Sequence, residues 1–225
     1  MVAQSFVLGE CMLSGLYAIT DGSRSSVLGH KVEQALQGGA ALVQYRDKSN
    51  NASQRLSDAQ MLRDLCQHYN ALFIVNDDIT LAKQVQAQGV HVGREDVDLR
   101  AARDYLGARF IIGTSCYNQL ALALDSQTQG ADYVAFGSFF ASNTKPLAQR
   151  AELSVLAQAK QHLNIPLCAI GGISLATAPS LIKTGADMLA VITDLFNAAN
   201  ITQQAQAYAQ LFAAVSAQTT KSPLV

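Results

Sequence analysis

The sequence predicts an α/β fold, a single eight-stranded β/α (TIM) barrel, and three observations support this prediction. Eight short apolar runs alternate with Ala-, Gln- and Leu-rich stretches of helical spacing along the 225 residues. The runs recur roughly every 25 residues, a spacing that suits a barrel of this length. Several runs lack polar alternation, as expected of parallel strands that are covered on both faces.

One domain is expected over residues 1–225, because no linker or change of composition divides the chain. About residues 1–14 are predicted to be an N-terminal extension, and about residues 218–225 a loose C-terminal tail. The competing fold is an open doubly wound sheet. That fold usually carries a glycine-rich fingerprint after its first strand, where this chain offers only Gly22.

The predicted strands and helices follow each other in order along the chain. The strands are LYAIT (16–20), ALVQYR (41–46), ALFIVND (71–77), GVHVG (89–93), RFIIGTSC (109–116), DYVAFGSFF (132–140), IPLCAIGG (165–172) and MLAVIT (188–193). The clearest helical stretches are 52–68, 118–129, 152–162 and 202–216. Asp78, Asp98 and Ser174 are expected to cap helix starts, and the repeated Gly-Ala-Asp before a strand marks helix-to-strand turns.

Composition and charge narrow the class of function. The net charge of −1 gives no general attraction for nucleic acid or a membrane surface, so any polyanionic ligand is expected to be held by a local cluster of cations. The four widely spaced cysteines suggest buried free thiols in a reducing compartment. Glu10 interrupts the N-terminal segment, which lacks a secretory pattern, and no apolar run approaches about 18 residues. These features predict a cytoplasmic protein; self-association through the barrel exterior stays open.

Polar residues collect where the predicted strands end, which is the active-site face of a β/α barrel. Gln44, Arg46 and Lys48 alternate in QYRDK, and a guanidinium beside an ammonium suits a diphosphate. Taken alone, the same stretch is also compatible with a solvated strand end that carries an Arg46–Asp47 pair. The cations therefore gain meaning only together with the other strand ends.

Two carboxylates follow neighbouring strands, Asp77 in VNDD and Asp96 in GREDVD. If Asp78 and Asp98 cap the following helices, Asp77 and Asp96 remain to ligate a hard cation, for which Mg²⁺ is expected. Gly171-Gly172 follows the seventh strand at a common phosphate-binding position, although a lone glycine pair is also typical of a turn.

His91, Tyr17 and Tyr45 are expected to have structural roles. His91 is expected to be a core or surface histidine, because the sequence has no GxSxG nucleophile elbow with which it could act. Tyr17 and Tyr45 are expected to form the barrel wall.

These segments together resemble the thiamine phosphate synthase family, from about Gly15 to Leu195. The motifs that carry the resemblance are LYAIT, VQYRDK, FIVNDDITLA, GVHVGREDVDL, IIGTSCYN, GADYVAFGSFFASNTK, AIGGI and GADMLAVIT. The family joins 4-amino-5-hydroxymethyl-2-methylpyrimidine diphosphate to a thiazole phosphate, with or without a carboxyl group, and releases pyrophosphate.

The resemblance implies a role for each matching position. Lys145, Arg46 and Lys48 would be catalytic, and Asp77 and Asp96 would bind Mg²⁺. The substrate-binding set would be Gln44, Tyr45, Arg46, Asp47, Lys48, Asn76, Ser115, Ser142, Asn143, Thr144, Lys145, Gly172, Ile192 and Thr193. Within that set, Ser115 would contact the pyrimidine, and Ser142 to Thr144, Gly172 and Ile192–Thr193 the thiazole phosphate.

The implied mechanism needs no general base. Pyrophosphate leaves the pyrimidine methylene, and the thiazole nitrogen captures the resulting cation. The chain departs from the family pattern at Arg94, where glutamine is frequent, at Ser138 and Ala141, where prolines stand, and at Ser142 in place of threonine. Two alternatives remain: a related thiazole tautomerase, which would not need the diphosphate and Mg²⁺ set, and a non-catalytic barrel that binds a phosphorylated metabolite.

Overall fold

Parallel strands close on themselves in this computed structural model, which describes residues 13–93, 98–141 and 150–219. The strands run in chain order around a closed barrel, from β1 to β8, and β8 pairs with β1. They are β1 (Gly15–Ile19), β2 (Leu42–Tyr45), β3 (Leu72–Asn76), β4 (Gly89–Val92), β5 (Ile111–Tyr117), β6 (Tyr133–Phe136), β7 (Leu167–Ile170) and β8 (Met188–Val191). The predicted TIM barrel is confirmed.

Helices follow the strands and cover the outside of the barrel. In the described part of the chain they are α1 (Ser25–Gln37), α2 (Ala52–His68), α3 (Ile79–Gln84), α4 (Leu99–Leu106), α5 (Leu120–Thr128), α6 (Leu153–His162), α7 (Ala178–Thr184), α8 (Thr193–Phe196) and α9 (Ile201–Thr219). The side chains of Asp78 and Asp98 accept hydrogen bonds from the first turns of α3 and α4, so both predicted caps are confirmed.

The predicted cap at Ser174 is wrong. Helix α7 begins only at Ala178, because Ser174 and Thr177 first form a hydrogen-bonded turn. In that turn the Ser174 N–H donates to Thr177 Oγ1, and the Thr177 N–H donates to the Ser174 carbonyl. The turn keeps residues 174–177 out of the helix and at the rim of the barrel.

Strand alternation divides the core into two layers. The inner layer fills the barrel with side chains such as Tyr17, Leu42, Ile74, Tyr133 and Met188. The outer layer packs the opposite strand faces against the helices. Ala18, Val43 and Val75 are examples of its strand residues. The active-site face is therefore built on strands whose positions are fixed from both sides.

Three cysteines of the described residues, Cys66, Cys116 and Cys168, are free and buried, as the sequence predicts; Cys11 lies outside those residues. No helix of the described ranges is long and apolar enough to cross a membrane.

Candidate functional site

A cavity of about 680 Å³ opens at the carboxyl ends of the barrel strands. Its lining combines apolar walls with polar side chains from several strands and the loops that follow them. The polar lining residues include Tyr17, Gln44, Arg46, Asn76, His91, Ser115, Asn118, Gln119, Ser138, Ser174, Thr193 and Asp194. A volume of this size can enclose a small organic ligand with its phosphate groups.

Gln44 on β2 and Arg46 directly after it both line this cavity. Gln44 faces the barrel interior and is 3% exposed. Thr20 Oγ1 fixes the backbone of Arg46, accepting from its N–H at 2.9 Å and donating to its carbonyl at 3.2 Å. The predicted alternation therefore holds for these two residues. Lys48 lies beyond the end of β2 and is not among the residues that line the cavity.

Tyr45 and Asp47 lie away from the cavity wall. Tyr45 follows Gln44 on β2, so its side chain points into the outer layer between strand and helices. Asp47 accepts hydrogen bonds from the N–H and the hydroxyl of Ser49 and from the Tyr45 hydroxyl. Burial alone would raise the pKa of Asp47, but the Ser49 bonds lower it below its ordinary value. Both residues shape the loop that carries Arg46 rather than contact the cavity.

Asn76 and Asp77 lie together at the end of β3. Asn76 lines the cavity and donates its side-chain N–H to the Asp77 carboxylate. Asp77 adopts a left-handed backbone with φ of 61°, and its carboxylate also accepts from the Gly93 N–H at 3.3 Å. These two bonds hold the carboxylate in place beside the mouth.

The described residues fit a hard cation in the type of donor they offer. Asp77 presents a carboxylate at the end of β3, and carboxylate oxygens are ligands of the kind that Mg²⁺ takes. Asp96, the second predicted ligand, lies outside the described residues. Within those residues, no group of three or more His, Cys, Asp or Glu side chains could hold a metal.

The loops after β7 and β8 form the glycine-rich side of the cavity. Gly171 and Gly172 have φ of 101° and 62°, and a Cβ on Gly172 would lie 2.3 Å from the Ala141 carbonyl oxygen. Only glycine therefore fits this close approach of two loops. Ile192 and Thr193 line the cavity beside them, where the chain leaves β8.

The floor of the cavity carries a chain of hydrogen bonds between side chains of the barrel interior. Gln44 Nε2 donates to the Tyr17 hydroxyl at 2.8 Å, and the Tyr17 and Tyr133 hydroxyls are 2.9 Å apart. The Tyr133 hydroxyl lies 2.9 Å from His91 Nδ1, and His91 Nε2 lies 2.9 Å from Ser115 Oγ.

His91 is buried in the core, as the sequence predicts, and it also lines the cavity. Sequence reasoning did not assign Tyr133 or His91 to the site. One signal was present: Gly113 lies opposite both residues in the strand register, and its missing side chain leaves room for the Tyr133 ring. Tyr117, Asn118 and Gln119, which line the cavity at the end of β5 and just after it, were also not predicted as site residues.

The polar end of the sixth strand's loop lies outside the described residues. It contains the predicted ligands Ser142, Asn143, Thr144 and Lys145. Of the predicted site residues, Gln44, Arg46, Asn76, Ser115, Gly172, Ile192 and Thr193 are brought together around the cavity.

Known proteins match this chain over most of its length. The sequence model described as "Thiamine monophosphate synthase" matches residues 16–195. The thiamine-phosphate synthase of Azoarcus sp. (strain BH72) is 48% identical over 207 residues, which are 92% of this chain and 100% of that protein. That of Thiobacillus denitrificans is 49% identical and covers 89% of this chain and 95% of its own.

A solved structure gives the same result. The thiamine phosphate pyrophosphorylase of Pyrococcus furiosus superposes with a TM-score of 0.81 and is 33% identical. The superposition covers 89% of this chain and 96% of the Pyrococcus protein.

Proposed function

The chain belongs to the thiamine monophosphate synthase family, a family of transferases of thiamine biosynthesis, and we propose which of its residues carry the reaction. The barrel mouth joins 4-amino-5-hydroxymethyl-2-methylpyrimidine diphosphate to a thiazole phosphate, with or without its carboxyl group. The products are thiamine phosphate and pyrophosphate.

The observation that carries this assignment is the division of one cavity into two chemically different sides. Gln44 and Asn76 supply amide groups from β2 and β3, and Arg46 supplies a guanidinium group directly after β2. Gly172 and the Ile192–Thr193 segment supply backbone and a hydroxyl from the loops after β7 and β8. A cationic, amide-rich side suits a diphosphate, and a glycine-rich loop suits a single phosphate.

Departure of pyrophosphate is the step that the protein must assist. Negative charge grows on the leaving oxygens, and Arg46, joined by Lys48 and Lys145, neutralises it. Asp77 and Asp96 would hold Mg²⁺, which supplies further positive charge to the diphosphate when bound. Ser115 would contact the pyrimidine, while Ser142 to Thr144, Gly172 and Thr193 hold the thiazole phosphate in line with the reacting carbon.

The assignment is tested by mixing both substrates with the protein, with and without Mg²⁺, and measuring thiamine phosphate and pyrophosphate. Mg²⁺-dependent formation of the two products in equal amounts is expected. A protein that only interconverts thiazole isomers, or one that binds a phosphorylated metabolite without turnover, would form neither product. The absence of both products would therefore refute the proposed reaction.

Lys145→Ala is expected to lower kcat strongly and to leave the binding of thiazole phosphate nearly unchanged. The loss should reach about a hundredfold or more, as for other groups that stabilise charge in a transition state. Steady-state kinetics and calorimetric titration with thiazole phosphate measure the two quantities. Lys183→Ala is the matched control, because Lys183 is exposed in α7 on the outside of the barrel. Near-normal turnover of Lys145→Ala would contradict the role.

A further inference from the structure

Tyr17, Tyr133 and His91, the middle members of the hydrogen-bonded series on the cavity floor, have no part in the mechanism above. The series connects Gln44 to Ser115 through these three buried side chains. Tyr17 and Tyr133 are 1% and 0% exposed, and His91 is 8% exposed. Burying a polar group without a hydrogen-bond partner costs free energy, so each group of this series is expected to be paired. The donors and acceptors that each side chain offers then determine the direction of each bond.

The hydrogen bonds of this series all point the same way, starting from Gln44. Its Nε2 can only donate, so the Tyr17 hydroxyl accepts that bond and still has its own hydrogen to place. The Tyr133 hydroxyl oxygen lies 2.9 Å away, and the Tyr17 hydroxyl donates its hydrogen to it. Tyr133 then donates its single hydrogen to His91 Nδ1.

This direction selects one tautomer of His91. In a neutral imidazole one nitrogen donates and the other accepts, and Nδ1 already accepts from Tyr133. The ring hydrogen therefore lies on Nε2 and is donated to Ser115 Oγ. The Ser115 hydroxyl accepts this bond, and its own hydrogen remains for the cavity that Ser115 lines.

We infer that His91 and Tyr133 are positioning residues that turn the Ser115 hydroxyl hydrogen toward the cavity, so that Ser115 acts as a hydrogen-bond donor to the bound molecule. The atom that meets Ser115 must therefore offer a lone pair. The identity of the bound molecule rests on the proposed function. If it is the pyrimidine diphosphate, the atom that meets Ser115 is a ring nitrogen and not the amino group. The floor thus selects which edge of the pyrimidine faces β5.

Gly113 supports this role for Tyr133. A Cβ on Gly113 would lie 1.9 Å from a carbon of the Tyr133 ring, so only glycine lets the ring cross β5. His91 and Gly113 are partners in the register between β4 and β5, and Gly113 and Tyr133 between β5 and β6. The ring reaches His91 through the space that the glycine leaves open.

The tautomer can be read directly from the unliganded wild-type protein. Long-range ¹H–¹⁵N correlation spectra distinguish the two neutral tautomers and the doubly protonated ring of each of the four histidines. The spectrum of His91→Gln identifies the His91 signals by their loss. An Nε2–H tautomer is expected. An Nδ1–H tautomer or a doubly protonated ring would overturn the inference, whether or not the protein makes thiamine phosphate.

Kinetics test whether Tyr133 acts through Ser115. Tyr133→Phe removes the donor to His91, so the KM for the pyrimidine diphosphate should rise about tenfold, with the KM for thiazole phosphate unchanged. In a Ser115→Ala background the same change should add less than about twofold, because the group that it orients is already absent. Equal effects in both backgrounds would overturn the positioning role.

Tyr69→Phe is the matched control for this experiment. The Tyr69 hydroxyl bonds to Gln37 and Glu33 on the outside of the barrel, away from the cavity. Its kinetic constants should match those of the wild type. If the wild type forms no thiamine phosphate, the proposed reaction fails, while the tautomer measurement still decides the present inference.

Discussion

Two phenols, those of Tyr17 and Tyr133, lie inside the barrel and are almost completely buried. Burial is the main cause that raises the pKa of each above the ordinary tyrosine value. In the unfolded chain the same phenols ionise near pH 10. The two side chains therefore bind their protons more tightly in the folded protein than in the unfolded one.

Alkaline pH is expected to destabilise the fold through these phenols. Their contribution to the free energy of unfolding is fully present below about pH 10 and is lost as the pH rises, because only the unfolded chain can release the protons. Each phenol lowers the free energy of unfolding by at most about 1.4 kcal/mol per pH unit above that point.

Urea unfolding between about pH 9 and 11 measures this slope, and Tyr133→Phe is the informative variant. Its free energy of unfolding should fall less steeply with pH than that of the wild type. Tyr69→Phe keeps the phenols of Tyr17 and Tyr133 and should retain the wild-type slope. Identical slopes in wild type and Tyr133→Phe would show that the Tyr133 proton does not differ between the two states.

Strand parity explains which residue positions could be predicted from the sequence. Alternation correctly placed Gln44 and Arg46 on one face, and it places Tyr45 on the other. It could not reveal that Tyr133 crosses β5 to reach His91, because these two residues are 42 positions apart in the sequence and lie on different strands. Periodicity gives the face of a strand but not the partner that fills the space in front of it.

At the scale of elements, the two Gly-Ala-Asp junctions share one hydrogen-bond pattern. Asp132 precedes β6 and accepts from the Ile112 N–H at 2.7 Å. Asp187 precedes β8 and accepts from the Leu167 N–H at 2.9 Å. The Asp132 N–H in turn donates to the Ile112 carbonyl, and the Asp187 N–H donates to the Leu167 carbonyl. The aspartate thus joins the start of its own strand to the preceding strand, at the end of the barrel opposite the cavity.

Asp187→Ala is expected to lower the free energy of unfolding by about 1–3 kcal/mol, because the Leu167 N–H loses its side-chain acceptor. The Lys160 contact is partly exposed and contributes little. Chemical denaturation measures the change, and Asp64→Ala is the matched control on an exposed pair with Arg63. An equally small effect of both variants would contradict the role of the junction.

Element boundaries were predicted less well than the elements themselves. The sixth strand was expected over 132–140, but β6 ends at Phe136. At the next residue the chain passes so close to β7 that a Cβ on Gly137 would lie 2.3 Å from the Ile170 carbonyl oxygen. The apolar run continues through Phe139 because that residue is buried in the loop, so hydrophobicity alone could not locate the strand end.

At the scale of the whole molecule, three thiols report on different parts of the barrel. Cys66 lies on α2, Cys116 on β5 and Cys168 on β7, and all are 0% exposed. Burial raises the pKa of Cys116 and of Cys168 to about 12. The reactive thiolate is therefore scarce in the native protein at neutral pH.

In a Cys11→Ser background, the native protein is expected to react with a disulfide reagent on the order of a thousandfold more slowly than the urea-unfolded chain. Absorbance of the released thiolate follows the reaction. All three thiols should become reactive together, because they belong to one barrel whose strands depend on each other. Rapid labelling of one thiol in the native state would show that its part of the barrel opens separately.

The pairing of β1 with β8 also has a consequence for synthesis of the chain. β1 ends at Ile19, and its second neighbour begins only at Met188. At ribosomal speeds of about 5–20 residues per second, roughly 10 to 30 s pass before that partner exists. During this time one edge of β1 offers unpaired backbone groups to any other chain nearby. In the finished barrel, β8 covers this edge of β1. In the nascent polypeptide the edge stays unpaired until β8, the last strand, has emerged.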